Sequence, residues 1–158
     1  MNMDVLVGKL AMDRSSKFLE ISGRHLINIQ EFLCVDGSFR EEEAIQRSWH
    51  VLCIDDKSIF GEDAARLAAA FRSQGAESFC VGRAVDIRSA KDSVAVHVFD
   101  ATLEGVEKFQ GAAYWQLNLD DCFLFNVPVT CAVFRPGNVG VTIFAGEAEF
   151  VNQMKARS

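Results

Sequence analysis

The 158-residue chain carries 22 acidic and 16 basic residues, a net charge of −6, and 49% of its residues are hydrophobic. These values predict one globular domain over residues 1–158, and thirteen phenylalanines predict a core rich in aromatic rings. Binding to a nucleic-acid backbone requires clustered positive charge, and the sequence contains no run of Lys and Arg. We therefore expect no direct nucleic-acid partner and favour a protein partner with a basic surface.

The cellular compartment is predicted from the missing signal and membrane segments and from the number of cysteines. Residues Met1–Asp4 do not provide the basic start of a secretory signal, and no apolar run approaches the ~18 residues that span a bilayer. Five cysteines would leave one unpaired in an oxidising compartment. These features predict a cytoplasmic protein that does not enter a membrane.

The first sixty residues give mixed signals. Lys17–Ser22 reads as a strand, and the three glutamates that open Glu41–Ser48 are typical of the first turn of a helix. Leu26–Val35 fits either a strand or a helix, and we favour the strand. Trp49–Ile54 fits either a strand or the continuation of the preceding helix.

The strongest helix signal covers Gly61–Gln74, where Leu67 and Phe71 stand four residues apart and Gly75 follows at the position of a left-handed C-cap. Two strands joined as a hairpin are then predicted, over Phe79–Ile87 and over Val94–Phe99. We expect the preceding helix to pack closely on one face of the first strand, because that face carries only the small residues Cys80, Gly82 and Ala84.

The stretch from Gly111 to Gly146 predicts central, buried strands because it holds only three charged residues. Within it, Thr130–Arg135 and Val139–Ala145 flank the turn sequence Pro136-Gly137-Asn138, which predicts a hairpin. A short helix is expected from Glu147 to Arg157. Together these elements indicate an α+β domain with a largely antiparallel sheet, one firm central helix and a short C-terminal helix.

Catalytic and metal-binding signals are weak. The five cysteines form no CxxC pair and lie in apolar stretches, where free cysteine behaves as a small hydrophobic residue. His50 and Cys53 would share one face of a helix but face opposite ways on a strand, and His97 lies on a predicted strand. We expect no metal, cofactor or catalytic group unless these three side chains converge in space.

Acidic side chains are the second set of candidates, because adjacent carboxylates and an acidic helix turn present negative charge to a partner. We predict that they form a docking face for a basic protein, although solvated turns and a helix start also explain them. The candidate residues are Glu41, Glu42, Glu43, Asp55, Asp56, Asp120 and Asp121.

The segment Leu117–Val151 combines apolar strands, an Arg-Pro-Gly-Asn hairpin and a short helix with acidic and apolar residues. It resembles the immunity proteins of bacterial toxin systems, including those of contact-dependent growth inhibition. The resemblance implies tight binding to one cognate toxin domain in the producing cell, and no residue role is carried over from it. The alternative is a small enzyme or ligand-binding domain with a pocket that involves His50, Cys53 or His97.

Overall fold

The computed structural model describes residues 17–55, 62–112, 121–137 and 140–155. In these ranges the strands are β1 (Lys17–Ser22), β2 (His50–Ile54), β3 (Ser78–Arg83), β4 (Ser93–Asp100), β5 (Cys122–Phe125), β6 (Cys131–Arg135) and β7 (Thr142–Gly146). The helices are α1 (Gly23–Gln30), α2 (Glu41–Gln46), α3 (Glu62–Arg72), α4 (Ala84–Ser89), α5 (Leu103–Ala112) and α6 (Ala148–Lys155).

The strands form one antiparallel sheet in the order β1-β4-β3-β5-β6-β7-β2, so the predicted α+β class is confirmed. Every residue of β5 and β6 is buried, as the scarcity of charge in this part of the chain predicts. Residues 113–120 and 138–139 of the same stretch lie outside the described residues. The outermost strands are β1 and β2.

Alternate side chains of the central strands point into two separate apolar layers. One layer joins the sheet to α3, α5 and α6, with Phe79, Leu124 and Val133 pointing towards those helices. The other joins the sheet to α1 and α4, with Phe123 and Phe134 on that side. Helices therefore cover both faces of the antiparallel sheet, and we refer to the α3–α5–α6 face and the α1–α4 face.

Most predicted elements are confirmed within one to three residues at their ends. Helix α3 buries Leu67 and Phe71, and Gly75 adopts a φ of +77° after the helix, as its C-cap position requires. Trp49–Ile54 contributes a strand. The other confirmed elements are the strands β1 and β4, the helices α2 and α6, and the pairing of β6 with β7 across the predicted turn.

The preferred assignment of Leu26–Val35 as a strand is wrong, because α1 occupies its first half. A strand would place Ile27 and Val35 on the buried face, yet these side chains are 56% and 85% exposed. Leu26 and Ile29 are buried instead, which is the spacing of a helix face that packs on the sheet. Apolar periodicity alone did not separate the two alternatives, and packing against β1 and β4 decides between them.

The predicted strand Phe79–Ile87 is also wrong in its second half, because the chain turns at Arg83 and continues as α4. Small residues on β3 do accommodate a helix, but it is the following one. A Cβ atom on Gly82 would lie 3.1 Å from Ile87 Cδ1, so α4 packs directly over this glycine. Helix α3 packs on the opposite face of the strand, against Phe79.

Helix α5 has no counterpart among the predicted elements. Its apolar face consists of Val106 and Phe109, both fully buried, and the Thr102 hydroxyl accepts a hydrogen bond from the Gly105 N–H at 2.9 Å. The sequence therefore did contain two helix signals, namely Thr102 as the N-cap residue and the i, i+3 spacing of Val106 and Phe109. Gly105 inside the helix weakens the helix signal, because glycine is unfavourable there. The fold requires it, because a Cβ at this position would overlap the carbonyl oxygen of Asp100.

Candidate functional site

The three candidate catalytic side chains do not converge. His50 and Cys53 lie on the edge strand β2, both exposed, and point to opposite faces because they are three residues apart on a strand. His97 lies on β4, five strand positions away in the sheet, which corresponds to roughly 20 Å or more. The geometry that nucleophilic or acid–base catalysis by these residues would require is therefore missing.

The cysteines of the described residues are free thiols, and three of them are buried. Burial raises the pKa of the Cys80 thiol to about 12 and also raises that of Cys131, so neither forms the reactive thiolate at neutral pH. In the part of the chain that the structure describes, no group of three His, Cys, Asp or Glu side chains could hold a metal ion. Buried thiols of this kind contribute to packing.

Two of the three α2 glutamates face solvent. Glu41 and Glu42 are exposed, whereas Glu43 accepts a hydrogen bond from Arg47 Nε at 2.8 Å. Arg47 Nη2 donates to Glu31 Oε1, also at 2.8 Å, and its guanidinium lies 4.5 Å above the Phe32 ring. Glu43 therefore belongs to a contact that fixes α2 against the end of α1. Glu41 and Glu42 remain available to present negative charge to a partner.

Replacing Arg47 with alanine should lower the free energy of unfolding by about 1–2 kcal/mol, because two charge-assisted hydrogen bonds and the cation–π contacts with Phe32 and Trp49 are lost at a partly exposed site. Arg47→Lys should recover only part of this loss, since a lysine cannot reproduce the planar fork. Urea unfolding monitored by tryptophan fluorescence measures the effect. Arg24→Ala on the exposed side of α1 is the control, and an equal change in both variants would contradict the assignment.

The paired aspartates have different environments. Asp55 is exposed at the end of β2. Asp121 is half-buried, and its Oδ1 accepts a hydrogen bond of 2.7 Å from the Gly137 N–H, which ties the start of β5 to the turn after β6. Because β2 runs antiparallel to β7, and β5 to β6, both aspartates lie at the same end of the sheet. Asp56 and Asp120 lie outside the described residues.

A tight turn between α1 and α2 projects from that end of the sheet. Leu33 and Phe39 form a bridge, and the Cys34 N–H donates to the Ser38 carbonyl at 2.7 Å. Asp36 Oδ1 accepts hydrogen bonds from both the N–H and the hydroxyl of Ser38, at 3.0 and 2.7 Å. These bonds lower the pKa of Asp36, which stays ionised at neutral pH. At the tip, Val35 is 85% exposed.

The turn rests on the first residues of α4. Gly37 has a φ of +90°, and a Cβ there would lie 3.0 Å from Val85 Cγ1. The Ala84 N–H in turn donates to the carbonyl oxygen of Asp121 at 2.9 Å. Segments more than eighty residues apart in sequence therefore meet here. We define the tip surface as the exposed side chains at this junction, namely Val35, Asp36, Val85 and Asp86.

The tip surface is partly apolar and partly charged. It combines two exposed valines with two carboxylates, of which Asp86 pairs with Arg83 at 3.0 Å. The sequence prediction included Asp121, which lies beside this surface, but it did not include the four residues that form it. The Asp-Gly-Ser turn signal was present at 36–38, but no sequence signal indicated that Gly37 packs on Val85 and so places this turn against the start of α4.

A shallow pocket of about 80 Å³ lies at the C-terminal end of β4, at the end of the sheet away from the tip surface. Its charged lining residues are Lys17, Asp100, Glu104 and Lys108. Ligand sites are usually several times larger and mainly apolar. The pocket mixes both signs of charge at the surface, so its residues do not select one class of ligand.

Comparison of the chain with protein-family models, with curated proteins and with solved structures gave no match. Among the described residues, no helix is long and apolar enough to cross a membrane.

Proposed function

We propose that the protein is a cytoplasmic bacterial immunity protein that neutralises a cognate toxin domain by direct protein–protein binding. The observation that carries the proposal is the tip surface, where exposed valines and carboxylates occur on the hydrogen-bonded turn after α1 and on the start of α4. Apolar side chains supply affinity once they are desolvated, and surrounding charge selects the partner and speeds the encounter. The sequence resemblance of Leu117–Val151 supports the same class of protein.

Charge favours a basic partner. The net charge is −6, and Asp36, Glu41 and Glu42 are exposed on or near the segment that bears the tip surface. Such a field attracts a protein with a basic face, as toxins that act on nucleic acids have. The enzyme alternative is less well supported, because His50 and Cys53 point to opposite faces of β2 and His97 lies five strands away on β4.

Reversing Glu41 and Glu42 to lysine should slow association with the partner by about tenfold at low ionic strength, with little change in the dissociation rate. Glu43 is left intact because it holds Arg47. Surface plasmon resonance at low and high salt measures both rates, and the difference between variants should shrink at high salt as charges are screened.

The matched control is the double reversal of Glu147 and Glu149, which produces the same change in net charge beside α6, on the α3–α5–α6 face. This control should associate nearly as fast as the wild type. If both double variants slow association equally, only the net charge matters, and Glu41 and Glu42 do not belong to the docking face.

The function itself is tested by affinity capture from the lysate of the native host, with washes at moderate and high salt and mass spectrometry of the retained proteins. Support requires one stoichiometric partner that arrests growth when it is expressed alone. If no protein is retained while native mass spectrometry finds a bound small molecule, the chain is a ligand-binding domain and the proposal is wrong.

A further inference from the structure

His97 occupies an unusual position for a histidine near the edge of a sheet. It lies on β4 directly opposite Phe18 of the edge strand β1, with the two ring centroids 4.5 Å apart. The Phe99 ring lies on its other side at 6.2 Å. The imidazole therefore lies half-buried between two aromatic rings on the α3–α5–α6 face.

No hydrogen bond compensates this burial at one of the two ring nitrogens. The Nδ1 atom is inaccessible to solvent and has no hydrogen-bond partner. A proton added to His97 would make both ring nitrogens donors, so the imidazolium would bury one unsatisfied N–H together with a charge. Burial accordingly lowers the pKa of His97 below the value of about 6.5 of an unperturbed histidine.

The strand that covers His97 is an edge strand of the sheet and has β4 as its one neighbouring strand. Four consecutive residues of β1 are exposed, and Ile21 is its only buried residue. Phe18 is itself 41% exposed, so the ring that covers His97 is only partly buried. The pairing of β1 with β4 therefore depends in part on the contact between Phe18 and a neutral imidazole.

Charged groups around His97 do not offset this effect. On β1, Glu20 lies two residues beyond Phe18 on the same face, but it is exposed and accepts a hydrogen bond from Ser93 Oγ. The adjoining part of β3 presents the apolar side chains of Phe79 and Val81. The titratable groups of the described α5, which packs on β4, are Glu104, Glu107 and Lys108, and those at the ends of β1 and β4 are Lys17 and Asp100.

We propose that the β1–β4 edge is an acid-sensitive element, in which protonation of His97 releases β1 while the central strands stay paired. Neutral His97 contributes its full stabilisation above a pH of about 6.5, and this contribution is lost as the pH falls through that value towards the lower pKa of the folded state. Release of β1 uncovers the apolar edge of β4, which is then open to another strand.

Hydrogen exchange followed by mass spectrometry at pH 7.5 and pH 5.0, corrected for the intrinsic pH dependence of exchange, tests the proposal. In the wild type the amides of β1 should lose protection at pH 5.0 by roughly threefold or more, because local opening of the strand exposes them to exchange. In His97→Gln, which cannot titrate, this loss should disappear. His25→Gln, at an exposed position on α1, should behave as the wild type does.

Three results would overturn the proposal, namely constant protection of β1 in the wild type, an equal loss in His97→Gln, or a simultaneous loss in β5 and β6. If His97→Gln does not fold, an NMR titration of the wild type replaces it. A His97 midpoint below pH 6.5 that coincides with shifts of the β1 amides supports the proposal, and a midpoint at or above 6.5 contradicts it.

Discussion

Replacing Phe79 with alanine is expected to lower the free energy of unfolding by about 3–5 kcal/mol, the usual cost of removing a buried phenylalanine. Its ring is fully buried on β3 and stacks on Phe71 of α3 at a centroid distance of 4.9 Å. It also contacts Phe99 of β4 at 5.8 Å and Phe109 of α5 at 6.3 Å. One substitution therefore leaves a cavity between two helices and two strands. Equilibrium unfolding in urea measures the loss.

The matched control is Phe18→Ala, at a phenylalanine that is 41% exposed on the edge strand. This variant should lose about 1–2 kcal/mol, less than Phe79→Ala, because part of its ring already contacts water and its removal leaves no enclosed cavity. Similar losses in the two variants would contradict the described core, since the cost of truncation should follow burial.

The second large effect concerns binding. Replacing Val35 with arginine should weaken binding of the captured partner by about 30-fold or more, mainly through faster dissociation. The valine is the most exposed large apolar residue described, at 85%, and it stands beside the ionised carboxylate of Asp36. Arginine removes the apolar contact and places a positive charge against a basic partner. Isothermal titration calorimetry measures the affinity.

Val35→Arg should unfold at the same urea concentration as the wild type, because its side chain has few contacts to lose. Leu103→Arg provides the matched control, at an exposed leucine at the start of α5 on the other face of the sheet. It carries the same change in charge and should bind normally. Equal weakening by both variants would show that the tip surface is not the docking site.

The sequence predicted those elements in which local signals and tertiary packing agree. Helix α3 has its apolar residues, its charges and its C-cap glycine in mutually consistent positions. Strands β6 and β7 are marked by low charge and by a Pro-Gly turn. In contrast, Leu26–Val35 and Val85–Ile87 contain apolar residues that fit either period, and contacts with distant parts of the chain decide their structure.

The candidate site was predicted only in part, for the same reason. Adjacent acids are visible in a sequence, and Glu41, Glu42 and Asp55 are indeed exposed. Whether two valines fifty residues apart share a surface depends on Gly37 packing on Val85, which no local pattern encodes. Periodicity could not reveal that β2, with His50 and Cys53, and β4, with His97, lie five strands apart in the sheet.

Growth rescue tests the central claim most directly. The partner captured from the host is expressed in cells together with the wild-type protein, with Val35→Arg or with Leu103→Arg, each at matched level. We predict that the wild type and Leu103→Arg restore growth and that Val35→Arg does not. Full rescue by Val35→Arg would contradict neutralisation through the tip surface, and a captured partner that never arrests growth would contradict the immunity function itself.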